Sequence, residues 1–70
     1  MAEKQTPVID YCVTRFGDKM WLCEYLIDGH RNKECYGTGG RGYKVFPMKE
    51  RAVMSGKRYV KKWREKIENA

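Results

Sequence analysis

Pro47 separates two stretches of the chain that have different hydrophobic periods. Before it, β-branched and aromatic residues come in short runs broken by glycine, a pattern typical of strands. After it, apolar residues recur at helical spacing and fall on one arc of about 120°. The chain therefore predicts an α+β fold, with an antiparallel sheet of three or four strands followed by one long amphipathic helix. The apolar arc of that helix holds Met48, Ala52, Gly56, Tyr59, Val60, Trp63 and Ile67.

Turn signals predict where the strands begin and end. Gly17-Asp18 separates two runs rich in strand-forming residues, and Asp28-Gly29 is a strong hairpin signal. A two-residue turn at Gly17-Asp18 would place Cys12 opposite Cys23. A single domain of residues 8–70 follows a disordered leader of residues 1–7. Its predicted elements are a meander over residues 8–36 (strands 8–16, 20–27 and 30–36), a glycine-rich loop 37–42, a short strand 43–46 and a helix 48–68.

The chain has 70 residues, of which 41% are hydrophobic and 13% aromatic, enough for one small core. A domain of this size buries only about 60% of the surface that its unfolded chain exposes. Several domains are excluded, and a homo-oligomer that adds stability is one alternative. The residues expected in the core are Val13, either Trp21 or Leu22, Cys23, Ile27, Val45, Phe46, Tyr59, Val60, Trp63 and Ile67.

Positive charge is confined to the second half of the chain. Residues 1–35 hold five basic and six acidic side chains, a net charge of −1, whereas residues 36–70 hold ten and three, a net charge of +7. Such asymmetry points to nucleic acid or another polyanion. The alternative is a solvated helix face with weak ion pairs. The basic residues expected to bind nucleic acid are Arg51, Lys57, Arg58, Lys61, Lys62 and Arg64 on the helix, with Arg41 in the loop and Lys44 in the short strand.

The glycine-rich loop offers a second candidate contact. Tyr36 and Tyr43 flank the loop and Arg41 lies within it, a combination that suits stacking on unpaired bases. The alternative is a flexible linker whose tyrosines pack at strand ends. Although Gly37, Gly39 and Gly42 match G-x-G-x-x-G, a strand and a proline follow where a dinucleotide site needs a helix.

The cysteines and the lone histidine give little support to catalysis. Cys12, Cys23 and Cys35 are an odd number and are expected to be free thiols, packed as small apolar residues. A zinc site with His30 is the alternative, but the close pairs of cysteines typical of such sites are absent from the sequence. We expect no metal, no cofactor and no enzymatic activity.

The sequence also bears on where the protein acts. It contains no run of 18 apolar residues, and its first seven residues lack the basic and apolar regions of a secretory signal. We therefore expect a protein of the host-cell cytoplasm that does not bind membranes.

The phrase Phe46-Pro-Met-Lys-Glu-Arg-Ala52, after the tryptophan-bearing strand Lys19-Met-Trp-Leu-Cys-Glu-Tyr25 and an Asp-Gly turn, resembles the arm-type DNA-binding domains of phage and transposon tyrosine integrases. The resemblance covers about residues 17–68 and implies three strands followed by a helix. It also implies DNA binding through the sheet, whereas here the basic residues lie on the helix.

These observations favour a small, non-enzymatic phage or mobile-element protein that binds nucleic acid through the basic helix face and the glycine-rich loop. The alternative is a free-standing phage accessory protein that inhibits a host defence complex, as anti-CRISPR proteins do. Exposed aromatic residues such as Tyr36 or Tyr43 would then anchor the protein partner.

Overall fold

The computed structural model describes residues 6–69, so residues 1–5 of the predicted leader lie outside the described range. The architecture is the predicted α+β fold, an antiparallel sheet followed by one C-terminal helix. Four of the five predicted elements match the observed ones to within one residue at each end. The elements are β1 (Ile9–Phe16), β2 (Met20–Ile27), β3 (His30–Arg31), β4 (Tyr43–Phe46) and α1 (Lys49–Glu68).

β2 is the central strand of the sheet. It pairs with β1 on one side, whereas β3 and β4 pair with successive parts of its other side. The third position in the sheet is therefore one strand line interrupted by residues 32–42. The strand predicted over residues 30–36 was wrong beyond Arg31, because the buried Asn32 side chain accepts a hydrogen bond from the Glu34 backbone N–H and turns the chain out of the sheet.

The first hairpin has a different register from the predicted one. Its turn spans three residues, 17–19, with Gly17 at φ +72°, and the first pair across it is Phe16 with Met20. Val13 therefore lies opposite Cys23, and Cys12 lies on the other face of the sheet, opposite Glu24. A shift of one residue reverses the face of a strand side chain, so Cys12 does not lie opposite Cys23.

α1 packs against one face of the sheet, and the core lies between them. Gly56 faces the ring of Tyr11 there, so the helix backbone comes close to β1. The buried apolar residues are Ile9, Cys23, Tyr25, Cys35, Ala52 and Tyr59, and the half-buried residues packed against them are Tyr11, Val13, Trp21, Ile27, Phe46, Val60, Trp63 and Ile67.

The other face of the sheet is not covered by α1. Val45, predicted as a core residue, pairs with Leu22 on this open face, because Leu22 alternates with the buried Cys23. Phe16 and Met20 end the same face and remain 52% and 36% exposed. The molecule thus has a helix-covered face with the core and an uncovered face of mixed character.

Candidate nucleic-acid interface

Residues 32–42 form a closed loop beside the core. The Asn32 backbone N–H donates to the Tyr25 carbonyl at 2.7 Å, and the Tyr25 N–H donates to the Gly42 carbonyl at 2.9 Å. The loop thus leaves and rejoins the sheet at one residue of β2. The buried Thr38 hydroxyl donates to the Cys35 carbonyl at 2.8 Å and accepts from the Gly42 N–H at 3.4 Å. These bonds give the loop a compact conformation.

The two tyrosines that flank the loop in sequence lie on different surfaces. Tyr43 lies opposite Glu24 on the open face, with the Arg31 guanidinium carbon 4.8 Å from its ring centroid. Tyr36 lies on the helix side, where the Lys66 Nζ is 5.3 Å from its ring centroid. The structure therefore does not bring Tyr36 and Tyr43 together, and Tyr36 is 85% exposed.

Two adjoining cavities run between α1 and the β4 edge with its loop, and we call them together the basic groove. They share Ser55 and Arg58. The larger cavity, of about 440 Å³, is lined by Lys44, Phe46, Arg51, Met54, Ser55 and Arg58. The smaller cavity, of about 160 Å³, is lined by Tyr25, Cys35, Tyr36, Ser55, Arg58, Tyr59, Lys62 and Trp63.

Only some of the basic residues predicted to bind nucleic acid line the groove. Lys44, Arg51, Arg58 and Lys62 line it. Lys57, Lys61 and Arg64 project from the other flank of α1, since consecutive helical residues are about 100° apart. Arg64 there lines a separate cavity with Ile9 and Ile67. Arg41 is exposed in the loop and lines none of these three cavities.

Several groove residues were not among the predicted site residues. Lys66, beside the groove, follows Lys62 by four residues as Lys62 follows Arg58, and its Nζ lies 4.6 Å from the Trp63 ring centroid. That spacing is a sequence signal for Lys66. The aromatic and hydroxyl residues of the groove that were not predicted as site residues are Tyr25, Phe46, Ser55, Tyr59 and Trp63. The last three share the four-residue spacing on α1, whereas Tyr25 and Phe46 come from β2 and β4, and their meeting with α1 has no such signal.

The groove cations have no acidic partner within the described part of the chain. Across residues 6–69, the one ion pair joins Arg31 to Glu24, with Nε 2.9 Å from Oε2, and it lies on the open face. Carboxylates of residues 6–69 therefore leave the charges of Arg51, Arg58 and Lys62 unneutralised at close range. An uncompensated row of cations attracts polyanions.

The floor of the smaller cavity is neutral at physiological pH. Burial raises the pKa of Tyr25 to about 12 and also raises the pKa of the Cys35 thiol and of the Tyr59 phenol. These groups stay protonated, so the charge of the groove comes from its lysine and arginine residues. Within residues 6–69, no three His, Cys, Asp or Glu side chains are placed to hold a metal ion.

Comparison with known proteins assigns no family to the chain. No family model matches the chain, and no curated protein or solved structure is significantly similar to it. Within residues 6–69, no helix is both long and apolar enough to cross a membrane. The basic groove is therefore the feature from which a function can be argued.

Proposed function

We propose that the chain is a non-enzymatic nucleic-acid-binding protein whose contact surface is the basic groove. One observation carries the proposal: cations from β4 and from three turns of α1 line a single groove, with no carboxylate partner among residues 6–69. These cations are Lys44, Arg51, Arg58 and Lys62. A solvated helix face would need no groove and no contribution from a neighbouring strand.

The groove offers two kinds of contact to a nucleic acid strand. Arg51 and Arg58 present guanidinium groups that can bind phosphate oxygens in pairs, and Lys62 adds a point charge four residues further along α1. Each neutralised phosphate releases counterions, which favours binding at low salt. Phe46, beneath Lys44 with the Nζ 5.6 Å from the ring centroid, supplies an apolar surface between the cations.

Charge reversal on the two flanks of α1 tests the proposal. The groove variant carries Arg58→Glu and Lys62→Glu, and the control carries Lys57→Glu and Lys61→Glu, which makes the same change in net charge on the same helix. Binding of labelled duplex and single-stranded oligonucleotides is followed by fluorescence anisotropy between about 50 and 200 mM salt.

If the groove neutralises four phosphates, the affinity of the parent protein falls about 100-fold over this salt range. We expect the groove variant to bind more weakly at low salt and with a shallower salt dependence, while the control retains most of its affinity. Absence of binding at low salt overturns the proposal and favours the inhibitor alternative. Equal losses in both variants would show that total charge, rather than the groove, attracts the ligand.

A further inference from the structure

We propose that the smaller cavity of the basic groove holds one unpaired base of a single-stranded nucleic acid, stacked between the rings of Tyr36 and Trp63. This inference rests on the proposed function and names the class of nucleic acid that the groove recognises. DNA and RNA share the base and the phosphodiester, which are the groups that this site contacts.

The two rings converge on one position at the mouth of the cavity. The Lys66 Nζ lies over the Trp63 ring at 4.6 Å and over the Tyr36 ring at 5.3 Å, so both rings turn a face toward the same point. Tyr36 remains 85% exposed, although its loop is packed against the core. A flat group that displaced the ammonium toward the edge of the cavity would contact both faces.

The interior of the cavity continues the aromatic surface. Tyr59 lies 6.1 Å from Trp63, and Tyr25 lies 5.0 Å from Tyr59, between ring centroids. The Tyr25 and Ser55 hydroxyls are hydrogen-bonded to each other at the cavity wall. Each hydroxyl can donate or accept a bond, so the wall suits the edges of more than one base.

Cations stand where the phosphates beside a stacked base would lie. Arg58 and Lys62 line the same cavity, and Lys66 adds a third cation at its mouth. They are four residues apart on α1, so their backbone positions step about 6 Å along the helix axis. A row of charges at this spacing can contact successive phosphates of a single-stranded nucleic acid while the two rings contact its base.

A duplex cannot use this site without unpairing a base. Its bases are stacked on one another, and the space between Tyr36 and Trp63 lies between the loop and α1 rather than on a flat surface. The geometry therefore favours a single strand over a duplex of equal length.

Removal of the Tyr36 ring tests the site. Because Tyr36 is exposed, Tyr36→Ala is expected to leave the fold intact while lowering the affinity for a 15-residue oligo(dT) or oligo(U) between about 5-fold and 100-fold. Tyr36→Phe should retain most of the affinity. Phe16→Ala is the matched control, since Phe16 is an exposed aromatic residue on the open face.

Tryptophan fluorescence supplies an independent measurement. In a Trp21→Phe variant Trp63 is the one remaining tryptophan, and a stacked base should quench its emission. If that variant does not fold by circular dichroism, the quenching seen in the parent protein should disappear in Trp63→Phe.

The outcomes separate this inference from the proposed function. A single-strand preference that depends on Tyr36, with quenching of Trp63, supports both. Equal affinity for duplex and single strand, unchanged in Tyr36→Ala, overturns the stacking site and leaves the basic groove in place. A loss with Phe16→Ala in place of Tyr36→Ala moves the contact to the open face and overturns the inference. No binding of any oligonucleotide at low salt overturns both. A difference between oligo(dT) and oligo(U) identifies which nucleic acid the site prefers.

Discussion

The hydroxyl group of Tyr59 joins three parts of the chain. It donates a hydrogen bond to the Leu26 carbonyl at 2.7 Å and accepts one from the Asn32 side-chain amide at 3.2 Å. α1 is thereby fixed to the end of β2 and to the point where the loop leaves the sheet. Because Asn32 is buried, its amide depends on this partner. One side chain on α1 is thus hydrogen-bonded to the first residue of the loop that carries Tyr36.

Gly56 is required by the ring of Tyr11. A methyl group at Gly56 would lie 2.5 Å from Cγ of that ring, so the whole ring would have to move. Alanine normally stabilises a helix interior by about 1 kcal/mol over glycine. Here we expect Gly56→Ala to lower the free energy of unfolding by about 1–2 kcal/mol, since overpacking outweighs propensity. Urea denaturation measures this change.

The same substitution in a protein that lacks the Tyr11 ring tests whether that ring causes the destabilisation. In a Tyr11→Ala protein, Gly56→Ala should become neutral or stabilising, because the ring that it would meet is gone. A loss of the same size in both backgrounds would assign the effect to the helix itself. The sequence placed Gly56 on the apolar arc, but the residue that it faces depends on strand register and was not predicted.

At the scale of elements, the loop closes at a glycine. Gly42 has φ +77°, and a Cβ there would lie 2.7 Å from the Arg31 Cβ. Gly39 has a similar φ of +66° but open space around its Cα. Gly42→Ala and Gly39→Ala would each place alanine in a left-handed backbone conformation, which costs about 1–2 kcal/mol. Only Gly42→Ala adds a clash at the point where the loop rejoins the sheet, so we expect it to lower the free energy of unfolding by about 2–4 kcal/mol in total.

Hydrogen exchange locates the damage. In Gly42→Ala the amides of Tyr25 and Asn32, which close the loop, should exchange faster, whereas in Gly39→Ala they should remain protected. Equal destabilisation by the two variants would show that backbone strain alone governs both positions.

The elements themselves were largely predictable, and their connections were not. The hydrophobic period and the turn residues predicted β2 and β4 with their observed bounds. They predicted that α1 begins at Met48, one residue before its observed start. Both central residues of the Asp28-Gly29 turn have positive φ, as a two-residue hairpin of this type requires. The third strand ends at Arg31, earlier than predicted, because the side chain of Asn32 forms hydrogen bonds outside the sheet. The hydrophobic period of the sequence gives no sign of these bonds.

For the whole molecule, we expect stability to fall at alkaline pH. Burial raises the pKa of Cys23 from 9.0 to about 11. Burial favours the neutral thiol in the folded state. Its contribution to the free energy of unfolding is therefore complete below pH 9.0 and is lost as the pH rises through about 11. The difference between the two pKa values corresponds to about 3 kcal/mol of that free energy. Tyr25, with its pKa raised from 10.0 to about 12, extends the loss to higher pH.

Urea denaturation at pH values from about 8 to about 11 measures this dependence. Cys23→Ala lacks the thiol and should show a shallower decline, whatever its stability at neutral pH. The same slope in both proteins would assign the alkaline loss to other groups.

The basic groove and the open face of the sheet lie on different sides of the molecule. The basic groove lies on the helix side, and the open face of the sheet carries apolar residues with the Arg31–Glu24 ion pair. The arm-type resemblance implies DNA binding through the sheet, whereas the groove lies on the other side. The charge reversal on α1 and Phe16→Ala on the open face test these two surfaces separately.

The sequence by itself determined the order and type of the elements and the concentration of positive charge after residue 36, because periodicity, turn chemistry and charge are local properties of the chain. Tertiary structure decided which side chains meet. A one-residue shift at the first turn placed Cys12 and Cys23 on opposite faces. The packing of the loop against α1 brought Tyr36 beside Trp63 and selected one flank of the basic helix for the groove. Those contacts join residues far apart in the sequence, and their free energy depends on the whole fold.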